Sequence, residues 1–272
     1  MTDYRGRWAL ITGASAGIGA CFAEHLAAKG ANLVLTARRG DRLNKLAEKL
    51  ISTHDVAVHV EEIDFAAPDA SETLMARLAD HPHITVDILV NNAGFGLTGS
   101  YLDHDWSDHR AFINLMITHY CGLTHLFLPG MVERGFGRII QVASVAGLVP
   151  GGRGHTLYGA AKGFLVSFAQ SLAAEYEDKN VHTTALCPGF TYTEFHDVNE
   201  TRHLISKLPR YMVSPVEPVV AGALDAVEQR HVVYVPGMVN KALVWLSKAL
   251  PRPWAAALMR ANSQRVRRGD TH

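Results

Sequence analysis

Six short runs rich in Val, Ile and Leu recur through the first two thirds of the chain, separated by stretches with helical periodicity. That alternation constrains the fold more than any single residue does. The runs are WALIT, ANLVLTA, VAVHVEEID, VDILVNNAG, GRIIQVAS and VHTTALCPG, and HVVYVPG near the end reads as a seventh. Several are apolar at successive positions, so both faces of the strand need cover. Between them lie GIGACFAEHLAAKG, stopped by Gly30, then DRLNKLAEKLIST, a helix near Ala70–Leu78, a long stretch over Ser107–Glu133, and a helix carrying Tyr158 to about Glu177. Short buried strands separated by helices build right-handed parallel β-α-β units. The expected class is therefore α/β: a doubly wound, mostly parallel seven-stranded sheet with helices on both faces.

At 272 residues the chain suits one large domain over 1–272, and it contains no linker, repeat or low-complexity segment. Two regions depart from the alternation. The connection over 189–213 is long, and long connections in compact domains tend to be functional. It ends at Ser214-Pro215-Val216-Glu217, which reads as a helix start with Ser as the cap and Glu reaching back. The second region, 238–268, reads as two short helices broken by Pro251 and Pro253.

Lys plus Arg and Asp plus Glu each number 26, so no overall field points to nucleic acid or a membrane. The balance hides an asymmetry: from Lys241 onward there are seven bases against one acid, Asp270, which leaves the body about six charges negative. Cys21, Cys121 and Cys187 are widely spaced and read as reduced, packed thiols. Asp3 and the polar start argue against a signal peptide, and a cytoplasmic location is expected. No run of about 18 apolar residues is evident, so no membrane span is expected. The histidines are scattered without metal-ligand spacing, and no metal is expected.

Between the first strand and first helix stands Thr12-Gly13-Ala14-Ser15-Ala16-Gly17-Ile18-Gly19. Glycines allow a tight turn and close backbone approach, and the helix N-terminus offers amides to a pyrophosphate. This strand–turn–helix context makes the sheet Rossmann-type; the alternative is a glycine turn with no ligand. At the end of the second strand, where an NAD site usually has an acid, stand Ala37, Arg38 and Arg39. A small residue followed by an arginine fork suits a 2′-phosphate, favouring NADP(H) over NAD(H), unless both arginines are merely solvated.

Tyr158 and Lys162 share a helix face if YGAAK is helical. An ammonium beside a phenol lowers the phenol pKa and prepares it to exchange a proton. Ser144 ends the fifth strand at its carboxyl edge, where its hydroxyl can bond a substrate carbonyl. Asn114 lies in a helix interior, where Asn is a poor former.

With these segments in this order, the chain resembles the short-chain dehydrogenase/reductase family of the small single-domain type, over about Arg7 to Val235. TGASAGIG looks like its cofactor motif, and Asn91-Asn92-Ala93-Gly94 is similar to its NNAG motif. Ser144, Tyr158, Lys162 and Asn114 match its catalytic tetrad, and Pro188–Thr193 matches P-G-x-x-x-T. The resemblance implies that Tyr158 protonates the substrate oxygen, Ser144 orients it, and Lys162 holds the nicotinamide ribose. It assigns Asn114 a backbone contact to a relay water. Gly13, Ser15, Gly17, Ile18 and Gly19 would cradle the dinucleotide. Asp64 would bond near the adenine, and Asn91 would steady the strand floor and meet the adenosine ribose. Thr191 and Thr193 would serve the carboxamide and pyrophosphate. Ala16 replaces a basic residue, which leaves a 2′-phosphate to the Arg38 side. The Ser–Tyr spacing is one longer than the commonest form, through GGRGH; His155 there reads as a loop residue.

The expected activity is an NADP(H)-dependent oxidoreductase interconverting a ketone or aldehyde and an alcohol. Phe195, Leu204, Leu208, Tyr211 and Met212 favour a fairly apolar, steroid-like or acyl substrate. A nucleotide-sensing protein without turnover is the alternative, and a larger epimerase type is disfavoured by length. The family forms dimers and tetramers, so a homodimer or homotetramer is expected. The basic tail is expected to pack on the protein in preference to a subunit interface or a peripheral membrane contact. Substrate identity and physiological direction stay open.

Overall fold

The computed structural model describes residues 3–97, 99–152, 154, 156–191, 213–251 and 254. Its central sheet has the order β3-β2-β1-β4-β5-β6-β9, all parallel. The strands are β1 (Trp8–Thr12), β2 (Asn32–Ala37), β3 (Val58–Glu62), β4 (Val86–Asn91), β5 (Gly137–Val142), β6 (Val181–Leu186) and β9 (Val233–Tyr234). A separate two-stranded ladder pairs β7 (Phe190–Thr191) with β8 (Val213–Ser214). It ties together both ends of the 192–212 connection, which otherwise lies outside the described residues.

Strand alternation sends successive side chains to opposite layers. In β1, Ala9 and Ile11 join Phe22, Leu26, Leu33 and Leu35 in one core, beneath α1 (Gly17–Ala28), α2 (Gly40–His54) and α7 (Val216–Glu228). Trp8 and Leu10 join Val34, Leu74, Leu89 and Ile139 on the other side. There α3 (Ala70–Ala79), α4 (Trp106–Ile113), α5 (His119–Glu133) and α6 (Thr156–Tyr176) cover the sheet. Both faces are buried, which is why these strands are nearly continuous apolar runs. Each fully buried Leu, Ile or Phe contributes about 1.5–3 kcal/mol relative to exposure.

Between α4 and α5 runs one turn of π-helix, Asn114–Thr118, in which the His119 N–H donates to the Asn114 carbonyl. The whole stretch Trp106–Glu133 is long and apolar enough, by length and composition, to cross a membrane. Polar residues such as Asp108, Arg110, Asn114 and His119 interrupt it, so it holds no unbroken apolar run. Here Phe112, Leu115, Met116, Leu123 and Met131 spend that apolar character on the core.

Ser214 does not cap α7. It is extended in β8, and the cap position is Pro215, with no side-chain bond to the helix. The strand pairing with Thr191 claims Ser214 first. In α8 (Met238–Ala249) Val244 is the one buried residue, so the expected packing of the tail on the protein is only partial there. The second tail helix lies outside the described residues. Cys21 and Cys187 are buried and Cys121 half-buried, all as free thiols; burial pushes Cys21 and Cys187 up to about 12.

Candidate active site

The strand order reverses between β1 and β4, and their carboxyl ends open a crevice of the kind that binds ligands in open α/β sheets. Two turns meet there and are stitched together. The Thr12 hydroxyl accepts from the Asn92 and Ala93 amides, both at 2.9 Å. The Asn92 side-chain amide donates to the carbonyls of Thr12 (2.8 Å) and Gly13 (3.3 Å). Gly13 has φ +67° and Gly17 φ +57°, the left-handed region that favours glycine. A Cβ on Gly13 would lie 2.9 Å from Ala93 Cα, and one on Gly19 would run into the Gly13 carbonyl.

A dinucleotide pyrophosphate fits this turn. Ala16, the cap of α1, offers no side-chain acceptor, so the first-turn amides around Ile18 and Gly19 face the crevice uncapped. Beside it, Arg39 donates through Nε (3.2 Å) and Nη2 (3.0 Å) to the Ser15 hydroxyl. Arg38, on which the 2′-phosphate expectation rested, is exposed. The guanidinium that reaches the glycine turn is that of Arg39, because consecutive residues leaving β2 point to opposite sides.

Asn91 and Asn92 divide their work differently from the sequence reading. Asn91 has no exposed surface, and its amide donates to Gln141 Oε1 (3.1 Å), Tyr120 O (3.3 Å) and Thr124 Oγ1 (3.4 Å). It steadies the floor between β4 and β5. As the last residue of β4 it turns its side chain into the α5 layer, while Asn92 holds the glycine turn. Asp64 stands exposed beyond β3, where its carboxylate accepts from the Ala66 amide at 3.0 Å. Thr191 is buried, with its hydroxyl donating to Gly189 O at 3.3 Å. Thr193 and His155 lie outside the described residues.

Ser144 follows β5 in extended conformation and caps the turn Val145–Gly147, its hydroxyl accepting from the Ala146 amide at 3.1 Å. The same hydroxyl is hydrogen-bonded with the Tyr158 phenol. Burial pushes the Tyr158 pKa up, and the bond to Ser144 opposes that rise. The net direction is upward, so burial outweighs any lowering of the kind expected from Lys162. Lys162 is almost fully buried, and its ammonium donates to the Val142 carbonyl at 2.6 Å. Its Nζ lies 5.6 Å from the Tyr158 ring centroid and 5.8 Å from that of Tyr120, a two-ring cage of modest cation–π attraction. Burial lowers the Lys162 pKa to about 7, with Cys187 acting the other way.

Asn114 opens the π turn and contributes its carbonyl to that turn. The side chains that this helix brings to the NNAG turn are Met116 and Tyr120. A Cβ on Gly94 would lie 2.9 Å from Met116 Sδ, and the buried Tyr120 hydroxyl donates to Ala93 O at 3.0 Å. Sequence reading passed over Tyr120. Its spacing of four from Met116 and from Thr124, one helix face, was the available signal. The structure thus brings Ser144, Tyr158 and Lys162 together, adds Tyr120, Asn92 and Arg39, and withdraws Asn91 into the floor.

Comparison with known proteins agrees with this arrangement. The family model described as short chain dehydrogenase matches residues 7–203. Human very-long-chain 3-oxoacyl-CoA reductase is 34% identical over 199 residues, covering 72% of this chain; the chain spans 62% of that relative's length. Among solved structures, a short-chain dehydrogenase from Sphingobium yanoikuyae in complex with NADPH is 31% identical, with TM-score 0.78, covering 90% of this chain and 96% of its own. A 7beta-hydroxysteroid dehydrogenase is 27% identical, with TM-score 0.82, covering 94% and 97%. The doubly wound sheet, the glycine turn at its switch point and the Ser–Tyr–Lys cluster at its carboxyl edge have a common explanation: the chain belongs to the short-chain dehydrogenase family.

Proposed function

We propose that the protein is an NADP(H)-dependent oxidoreductase that interconverts a ketone or aldehyde and the corresponding alcohol. The carrying observation is the hydrogen bond between Ser144 and Tyr158, with the Lys162 ammonium one helical turn on. When bound, the dinucleotide supplies or takes up the hydride. Gly13, Ser15, Gly17, Ile18 and Gly19 hold its pyrophosphate, and Arg38 and Arg39 recognise a 2′-phosphate. Asp64 lies on the adenine side, and Thr191 and Thr193 on the nicotinamide side. Ser144 fixes the substrate oxygen beside the phenol, and Tyr158 gives that oxygen its proton in the reductive direction. A phenol kept protonated by burial suits a donor. Lys162 keeps the Tyr158 ring in place and contacts the nicotinamide ribose, and the Asn114 backbone holds a water that extends the proton relay toward the lysine.

The substrate class is a fairly apolar carbonyl compound, steroid-like or acyl. Support comes from the apolar residues of the 192–212 connection, from the acyl-CoA reductase relative and from the hydroxysteroid dehydrogenase likeness. The protein works as a homodimer or homotetramer in the cytoplasm; the outward-facing Phe164, stacked on Phe168 at 5.7 Å, supports assembly through α6. A panel of apolar ketones and aldehydes, run with NADPH and with NADH and followed by nicotinamide absorbance, tests this reading. Turnover of none of them, or equal kcat/KM with the two nucleotides, defeats the corresponding half of it.

A further inference from the structure

Helix α8 is built inside out. A surface helix ordinarily buries its apolar stripe and shows water its polar side. Here the side laid on the protein carries Asn240, Leu243, Val244 and Ser247, of which Val244 alone is buried and the others half-buried. The Asn240 amide donates to Pro236 O at 2.8 Å, and its carbonyl abuts Gly189, where a Cβ would collide with it. The opposite side shows Met238 (78% exposed), Trp245 (70%) and Leu246 (40%) to solvent, with Trp254 (70%) just beyond the helix. Three to four residues separate Met238, Ala242, Trp245 and Ala249, so they form one stripe. Lys241 and Lys248, both exposed, run along one border of it.

Charge identifies the occupant. Between Glu228 and Asp270 the sequence has no acidic residue, and the seven bases from Lys241 onward stand against a body with about six excess negative charges. A negatively charged surface attracts this segment and repels the rest, which orients the molecule. Tryptophan and methionine flanked by lysine are the composition of a helix lying in a headgroup boundary. We propose that α8 docks on an anionic lipid bilayer through its outward Met238–Trp245 stripe and the lysines beside it. Because α8 rests on Gly189, next to the Pro188 carbonyl that accepts from the Ser144 hydroxyl at 3.4 Å, docking sets the Ser144 edge of the sheet close behind the bilayer-facing helix. An apolar carbonyl substrate could then enter without crossing water. That consequence rests on the reading of the site as a carbonyl reductase, whereas the docking rests on α8 alone.

The test is flotation of the full chain with vesicles of phosphatidylcholine, with and without phosphatidylglycerol, at low and high salt. No nucleotide or substrate is added, so its outcome is independent of activity. The expected result is binding to the anionic vesicles only, released by high salt, with a blue shift of tryptophan emission. Combining Lys241→Glu and Lys248→Glu should weaken it at least about tenfold. Trp245→Ser should weaken it and remove part of the shift, with an unchanged melting temperature and circular dichroism spectrum. Absence of binding by the wild-type chain to anionic vesicles overturns the proposal without recourse to any variant. So does equal binding to neutral vesicles, or a dimer in sedimentation velocity that Trp245→Ser converts to monomer, since a second copy would then cover the stripe.

Discussion

Two buried cations sit at opposite ends of the same strand, β5, and they are treated in opposite ways. At its first turn Arg138, 5% exposed, meets Glu228 through both carboxylate oxygens, at 2.7 and 3.1 Å. Tyr4 donates to the same carboxylate at 2.7 Å, and the carbonyls of Gly137 and Asn180 take another Arg138 nitrogen. Burial works against the Glu228 carboxylate, but Arg138 and Tyr4 outweigh it and hold the pKa below the usual range. At the other end Lys162, 4% exposed, has one carbonyl and two aromatic faces, and no carboxylate among the described residues. A structural charge is fully paired; the charge at the site keeps donor capacity for a ligand. That contrast separates scaffold from chemistry better than burial does, since the two are equally buried.

Mutations at the two ends should part company. Tyr158→Phe, at the site end, should reduce turnover about 10²–10⁴-fold. NADPH binding, read by fluorescence titration, should be little changed; unaltered turnover would instead favour a nucleotide sensor. Glu228→Ala, at the scaffold end, strands Arg138 and should cost about 3–5 kcal/mol in urea unfolding. Whatever protein remains folded should keep its KM.

Lys162→Met should do the reverse, abolishing activity while stabilising the fold by about 1–4 kcal/mol. Its sign follows from the lowered pKa. The folded chain loses the lysine proton at about pH 7 and the unfolded chain at about 10.4. The penalty for the buried ammonium is thus full below pH 7 and fades as pH rises toward 10, and the advantage of the Met variant should shrink over that range. A Met variant less stable than wild type would mean that Lys162 is as well paired as Arg138.

Arg39→Ala should lower the preference for NADPH over NADH by about tenfold, the scale of one charge-assisted pair. Arg38→Ala serves as its comparison, and an effect confined to Arg38 would show that the contact with Ser15 is only local. The smallest effect belongs to His182, which is buried beside Arg138 with the Val227 backbone near its ring. Burial, then Arg138 and Arg230, lower its pKa, so the folded state favours the neutral ring. Its contribution is complete above pH 6.5 and lost as pH falls below it, by under about 1 kcal/mol in the first unit. His182→Met should flatten that part of the pH dependence of Tm.

Much of the fold is legible in the sequence. The strands could be read because burial on both faces leaves them apolar throughout, as in Leu33–Leu35 and Ile88–Val90. The glycine turn was legible because φ values such as that of Gly13 exclude most other residues. Ser144, Tyr158 and Lys162 could be placed together because strand ends and one helical turn fix their positions. What escaped was direction among neighbours: that Arg39 and not Arg38 meets Ser15, and that the Asn92 side chain and not that of Asn91 holds the glycine turn. Adjacent residues share composition and local propensity, and differ only in which side of the backbone they leave.

The sequence by itself determined the alternation, the sheet that it forces and the glycine turn at the switch point, since all follow from periodicity and local backbone limits. Tertiary structure decided which arginine meets Ser15, that burial pushes the Tyr158 pKa up, that Tyr120 flanks the lysine with Tyr158, and that α8 turns its tryptophan outward. Those outcomes depend on burial and on partners distant in the chain, such as Tyr120 with Ala93 and Gly189 with Asn240, which no local pattern encodes.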